Sequence, residues 1–164
     1  MIDCGADWLG RLPLVEPTSI VLTHAHPDHA FGLERGASCP VYATTVAWDA
    51  LNSFPVFERR KMPLANPIVI DGVQFEAFPV EHSVRAPAVG YRVSIGSSHF
   101  FYVPDVAQLP HSKVLREIDL YIGDGALQER FDNRPCIHSG ASSVPCSPIA
   151  DRELSVLLHL KYRI

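Results

Sequence analysis

The chain has 164 residues, 47% of them hydrophobic, with 14 Lys and Arg against 18 Asp and Glu for a net charge of −4. That length and apolar content suit a single domain over residues 1–164 with a real core, and they exclude a disordered or repeat protein. The acidic balance offers no broad face for nucleic acid, and no apolar stretch approaches the ~20 residues that a bilayer span requires.

The first residues carry Asp3, Asp7, Arg11 and Glu16 among apolar neighbours, unlike a signal peptide. Cys4, Cys39, Cys136 and Cys146 are widely spaced without a C-x-x-C pair. They read as free thiols in a reducing compartment, which makes the chain cytoplasmic. Residues 19–23, Ser-Ile-Val-Leu-Thr, have the composition of a short buried strand. His-Ala-His-Pro-Asp-His follows at once, and Pro27 stops any helix from running through it, so the backbone must leave the strand there. In an extended segment His24 and His26 point to one side and can present their imidazoles to one metal ion. A turn at Pro27, then a helix starting near Asp28 and ending by Gly36, would aim Asp28 and His29 at a second ion. Scattered loop histidines are the plain alternative, but four donors packed into residues 24–29 at a strand exit favour metal.

Further along, residues 41–44 read as a strand and 45–54 as a helix that Pro55 closes. The basic run Arg59-Arg60-Lys61 reads as a solvated helix end. Residues 68–70 and 73–78, joined by Asp71-Gly72, carry the alternation and turn of a hairpin. A second pair, 89–95 and 99–103, is joined through Gly96-Ser97-Ser98, and 118–122 adds an apolar strand. Strand and helix alternate first and hairpins follow, an order that suits an α/β sandwich better than a doubly wound parallel sheet.

Single donors sit at the strand ends. His82 lies just beyond the strand that reaches Val80, where it would be the third ligand of the first ion or a surface histidine in a polar loop. Asp105 follows the 99–103 strand through Pro104. Two ions sharing a hydroxide need an oxygen ligand that spans them, and Asp105 is assigned that bridge, with a turn-forming Asp as its alternative. Asp124, after residues 118–122, reads as a turn residue or an acid that orients a ligand. Arg85 and Arg92, on either side of Gly90-Tyr91, are anchors for a substrate anion or solvated strand ends.

The pattern His24-x-His26-x-Asp28-His29 resembles the metallo-β-lactamase superfamily, whose hallmark is H-x-H-x-D-H, and the resemblance covers most of the chain. Residues 82–92, a histidine followed by Gly90-Tyr91, are similar to ribonuclease Z and its phosphodiesterase relatives. The resemblance implies an α/β (α+β) fold, a four-layer αββα sandwich. It implies two divalent ions, zinc by the donor set, with manganese or iron suited by the same ligands. The implied reaction is hydrolysis of a small or nucleotide-like phosphodiester by a bridging hydroxide, and no long insertion resembling a tRNA-gripping arm is visible. Asp28 would orient the nucleophile, His138 in Ile-His-Ser would protonate the leaving oxygen, and His159 would complete the second ion's shell, a duty His138 could take instead. Two-zinc β-lactamases generally carry a cysteine in the role given to Asp105, which argues against antibiotic hydrolysis. Oxygen-reducing diiron relatives carry a glutamate where this chain has His26. The family fold opens with strands ahead of a segment like Asp3-Cys4-Gly5, so the N-terminal edge of the sandwich is expected to be incomplete. An open edge favours pairing with a second copy, and a truncated, catalytically silent metal-binding domain is the alternative reading.

Overall fold

The computed structural model describes residues 1–82, 87–107, 112–123 and 136–138, with 112–113 and 136–138 by backbone alone. The β-branched pair Ile20–Val21 forms β1, which pairs in parallel with β2 (Val41–Ala43), itself parallel to β3 (Arg59–Lys61). Parallel neighbours need crossovers, and two short helical passages supply them. The first is α2 (Pro27–Ala30), preceded in the chain by α1 (Leu12–Val15), and the second is α3 (Thr45–Ala50). Leu12, Leu33, Ala47 and Leu51 from this helical side meet Ile20, Leu22 and Val41 in one core against the outer face of the sheet.

The helix expected from Asp28 to Gly36 is a single α turn. Pro27 starts it with a pre-set φ, and it tightens into the 3-10 turn Phe31–Leu33 ahead of Gly36 at φ 88°. Helix α3 begins where expected, with the Thr44 side chain accepting from the Ala47 N–H at 3.3 Å, but it stops at Ala50 instead of running to residue 54. The Arg59 guanidinium donates to the carbonyls of Leu51, Asn52 and Phe54 in the turn that follows the early stop, and it lies over the Trp48 ring. Residues 59–61 are therefore an exposed edge strand and not a helix end. Three charged side chains in a row carry no apolar period, so only backbone pairing to β2 decides their conformation. Basic side chains on such an edge discourage further strand addition.

The second sheet has the order β4 (Ile68–Ile70), β5 (Val73–Val80), β6 (Ala88–Ile95), β7 (Ser98–Val103), β8 (Leu120–Gly123) and β9 (Cys136–His138). Asp71 and Gly72 have φ of 50° and 81°, the positive values that both central residues of a type I′ hairpin require, with Ile70 opposite Val73. Pairing is antiparallel through β7, as the hairpin pattern implied. Strands β8 and β9 then run parallel to β7, so Val103, Gly123 and His138 stand in one row.

The two sheets face each other across Val21 and Met62 on one side and Phe75, Ala77, Tyr91 and Val93 on the other. Phe101, Val103, Val106, Ile118 and Tyr121 form a third apolar seam on the outer face of the second sheet. Helices, sheet, sheet and outer cover are thus stacked in the expected sandwich, a mixed α and β architecture. Cys4 and Cys39 are buried free thiols, and among the described residues no helix is long and apolar enough to cross a membrane.

Candidate metal centre

The exits of β1, β5 and β7 meet at one end of the sandwich and bring four donors together. His24 Nε2 lies 3.0 Å from His26 Nδ1, and His82 Nε2 lies 3.1 Å from that same nitrogen. Asp105 Oδ2 is 3.5 Å from His24 Nε2 and 3.8 Å from His82 Nε2. Four ligands held about 2.1 Å from one tetrahedral ion stand about 3.4 Å apart, so the spread of these atoms suits an ion at their centre. Three imidazoles and one carboxylate form a donor set of the zinc type.

A second group shares one of these atoms. Asp105 Oδ2 is also 3.1 Å from His29 Nε2, which in turn lies 3.3 Å from Asp28 Oδ2. His29 is 11% exposed in its side chain and Asp28 72%, so this group runs from the floor of the site to solvent. Asp105 belongs to both groups.

Beneath both lies an acid that the sequence reading passed over. Asp3 is buried, and its carboxylate accepts from the Thr23 N–H at 2.7 Å, from the Thr23 hydroxyl and from His29 Nδ1 at 2.9 Å. Thr23 Oγ1 is also 3.0 Å from His24 Nδ1. With the hydroxyl proton given to Asp3, that oxygen accepts the His24 Nδ1–H, and the His24 lone pair is left on Nε2, facing the site. His29, bonded through Nδ1, likewise turns the lone pair of Nε2 inward. One carboxylate therefore sets the tautomers of a ligand in each group.

The electrostatics follow from burial. Burial, then the neighbouring His29, His82 and His26, push His24 down to about 3, so the ring stays neutral with its lone pair available. Burial alone would lower His29, but the Asp3 hydrogen bond and the fields of Asp3, Asp105 and Asp28 outweigh it and raise its pKa. Burial raises Asp3, against the pull of His29 and Thr23. The signal for Asp3 was present: a lone acid among the apolar and small residues of 1–6, costly to bury unless bonded.

Gly5 holds this layer together. The Cys4 N–H donates to the His29 carbonyl at 2.7 Å, and the Gly32 N–H donates to the Cys4 carbonyl at 2.8 Å, so residues 3–5 lie directly on α2. A Cβ at Gly5 would run into the backbone carbonyl of Asp28. Gly5→Ala is accordingly expected to displace Asp28 and His29 and to weaken any metal binding at their group about tenfold while the His24, His26 and His82 group keeps its affinity, as isothermal titration with zinc would read.

The remaining candidates divide. Arg92 is set opposite Glu76 in the β5–β6 register, on the face turned away from Tyr91 and Val93, which line the seam between the sheets. Strand alternation therefore puts Arg92 on the outer face of the second sheet, apart from the donor cluster. The backbone of His138 ends β9 in register with Gly123. Arg85, Asp124 and His159 lie outside the described residues.

A family model described as the beta-lactamase superfamily domain matches residues 1–145, which include every donor of both groups. The chain belongs to this superfamily. His138 falls within the matched residues of the superfamily domain and His159 beyond them. No curated protein matches the chain. Among solved structures, zinc-bound PqqB from Methylobacterium extorquens is similar in fold with a TM-score of 0.60, at 17% identity over 76% of this chain and 55% of that one. A diphosphatase of the PhnP family aligns with a TM-score of 0.57 and 27% identity over 75% of this chain and 54% of that one. Human tRNase Z, short form, aligns with a TM-score of 0.51 and 20% identity over 77% and 66%. The chain spans 55% and 54% of the first two, about half their length. The superfamily and sandwich read from the H-x-H-x-D-H motif are thereby borne out.

Proposed function

We propose that this chain is a metal-dependent hydrolase that holds two divalent ions, zinc by donor type, and cleaves a small or nucleotide-like phosphodiester. The observation that carries the reading is the sharing of Asp105 Oδ2 between the His24, His26, His82 group and the Asp28, His29 group. Likeness to a diphosphatase at 27% identity supports phosphate ester chemistry over other acyl or amide substrates. Two buried free thiols, Cys4 and Cys39, fit a reducing compartment, the cytoplasm.

A pair of divalent ions supplies water acidic enough to attack at neutral pH and polarises the ester oxygen. The chain's own part is geometric. Thr23 and Asp3 engage the Nδ1 atoms of His24 and His29 and leave Nε2 of each ring facing the site, so the donors need no rearrangement. Asp28, mostly exposed at the mouth, would orient the attacking water and accept its proton. His138, one strand beyond β8 in the row of Val103 and Gly123, ends its strand at the same edge of the sheet as Asp105 and is the proposed donor to the leaving oxygen.

The test is metal content by elemental analysis on protein purified without chelators, with turnover of bis-p-nitrophenyl phosphate measured on the same sample. About two ions per chain with turnover is the expected result. A single ion without turnover would make the chain a metal-binding domain, and no bound ion would overturn the reading entirely.

A further inference from the structure

The donors of the proposed centre come from different sheets. His24 and His26 leave the sheet of β1, whereas His82 and Asp105 leave β5 and β7 of the other. Their separation is therefore set by the register between the sheets. The seam between those sheets is apolar, and apolar burial is non-directional, so it holds the layers together without choosing their offset. Directional bonds across the seam must choose it.

Such bonds occur at the metal end. Strand β1 is two residues long, and beyond it the Leu22 N–H still donates to the Tyr42 carbonyl at 2.8 Å, but the Leu22 carbonyl points at the other sheet. There it accepts from the Tyr91 hydroxyl at 2.6 Å, and the next carbonyl, Thr23, accepts from the Val89 N–H at 3.1 Å. Two consecutive carbonyls immediately ahead of His24 are thus held by β6. The same β6 pairs Ala88 with Val80, two residues before His82. Tyr91 is 0% exposed, and its ring stands edge-on to Phe75 at 6.0 Å, so the hydroxyl is aimed by packing. Burial keeps the phenol protonated, and hence a donor, at any working pH. Elsewhere the sheets are tied by Thr18 and Ser19 to Asp71, at the N-terminal end of β1, away from the donors.

We propose that Tyr91 is a positioning residue of the metal centre, whose hydroxyl bond to the Leu22 carbonyl sets the offset between the sheets and with it the spacing of His24 and His26 from His82 and Asp105. The proposal rests on the metal-dependent reading above. It gives Gly90-Tyr91, which the sequence marked only by resemblance, a physical task.

The test compares Tyr91→Phe, which deletes only the hydroxyl, with Ile70→Ala, which loosens the same seam from β4 without touching a bond to β1. Zinc dissociation constants are measured by chelator competition, and the ligand-field spectrum is recorded after cobalt substitution. Tyr91→Phe is expected to bind zinc about tenfold more weakly with a changed cobalt spectrum. Ile70→Ala should lower the melting temperature yet keep zinc affinity within about twofold. Unchanged affinity and spectrum in Tyr91→Phe, or equal weakening in Ile70→Ala, would overturn the proposal. If the unaltered protein binds no zinc, the metal reading fails with it, whereas zinc binding that Tyr91→Phe retains in full sinks the positioning role alone. Should Tyr91→Phe not fold, hydrogen exchange at the Val89 amide of the unaltered protein decides. Protection in chelator-treated protein supports an offset set before metal arrives, and protection gained only with zinc refutes it.

Discussion

Asp105→Ala is expected to release one of the two proposed ions and to lower the proposed phosphodiester turnover by about three orders of magnitude while the protein stays folded. Its Oδ2 lies 3.5 Å from His24 Nε2 and 3.1 Å from His29 Nε2, so no other described side chain can take its place between the groups. Without it the first group retains three imidazoles, and the second is reduced to Asp28 and His29 among the described residues. Stability should change little. The carboxylate is 29% exposed, follows the end of β7, and lies outside the three apolar seams. Elemental analysis and thermal unfolding on one preparation check both halves, and a metal count equal to the parent's would end the bridging assignment.

Asp3→Ala should act on both ions and on the fold. It strips the partner from three buried donors: the Thr23 N–H, the Thr23 hydroxyl and His29 Nδ1–H. Each buried group left unsatisfied costs about 1–3 kcal/mol, offset in part because a desolvated carboxylate is removed, so a net loss of about 3 kcal/mol is expected. The His24 and His29 tautomers are freed together, and both ions should bind about 10–100-fold more weakly. Asp3→Asn keeps the volume but offers an N–H where the network needs acceptors, so it should recover part of the stability and little of the affinity. Urea unfolding and zinc competition separate the two effects. Wild-type zinc affinity in Asp3→Ala would show that the tautomers are held without it.

How far the site could be read in advance depended on sequence distance. His24, His26, Asp28 and His29 lie within one strand exit, where period-two geometry and Pro27 dictate which way side chains go. Their grouping needs no other part of the chain. His82 and Asp105 could be recognised as donors at strand ends, but their closeness to the motif is the work of two sheets. Asp3 escaped because it stands 20 residues from Thr23 and 26 from His29, and only the pairing of Ile2 with Val21 carries it there. Arg92 shows the opposite case. Its charge suggested a role, while the alternation of β6 puts Tyr91, and not Arg92, on the inner face.

The run at 59–61 shows the same division within the fold. With no apolar period to read, the sequence suggests a helix end there, whereas tertiary pairing makes Arg59 a strand residue whose side chain bonds the turn after α3. By itself the sequence determined the donor types, the strand exits that carry them and the hairpin at Asp71-Gly72, because each follows from local backbone geometry over a few residues. The tertiary structure alone decided the spacing between donors from opposite sheets and the buried acid that orients them. Both depend on contacts between residues far apart in the chain, which apolar burial permits in many offsets and a few directional hydrogen bonds reduce to one.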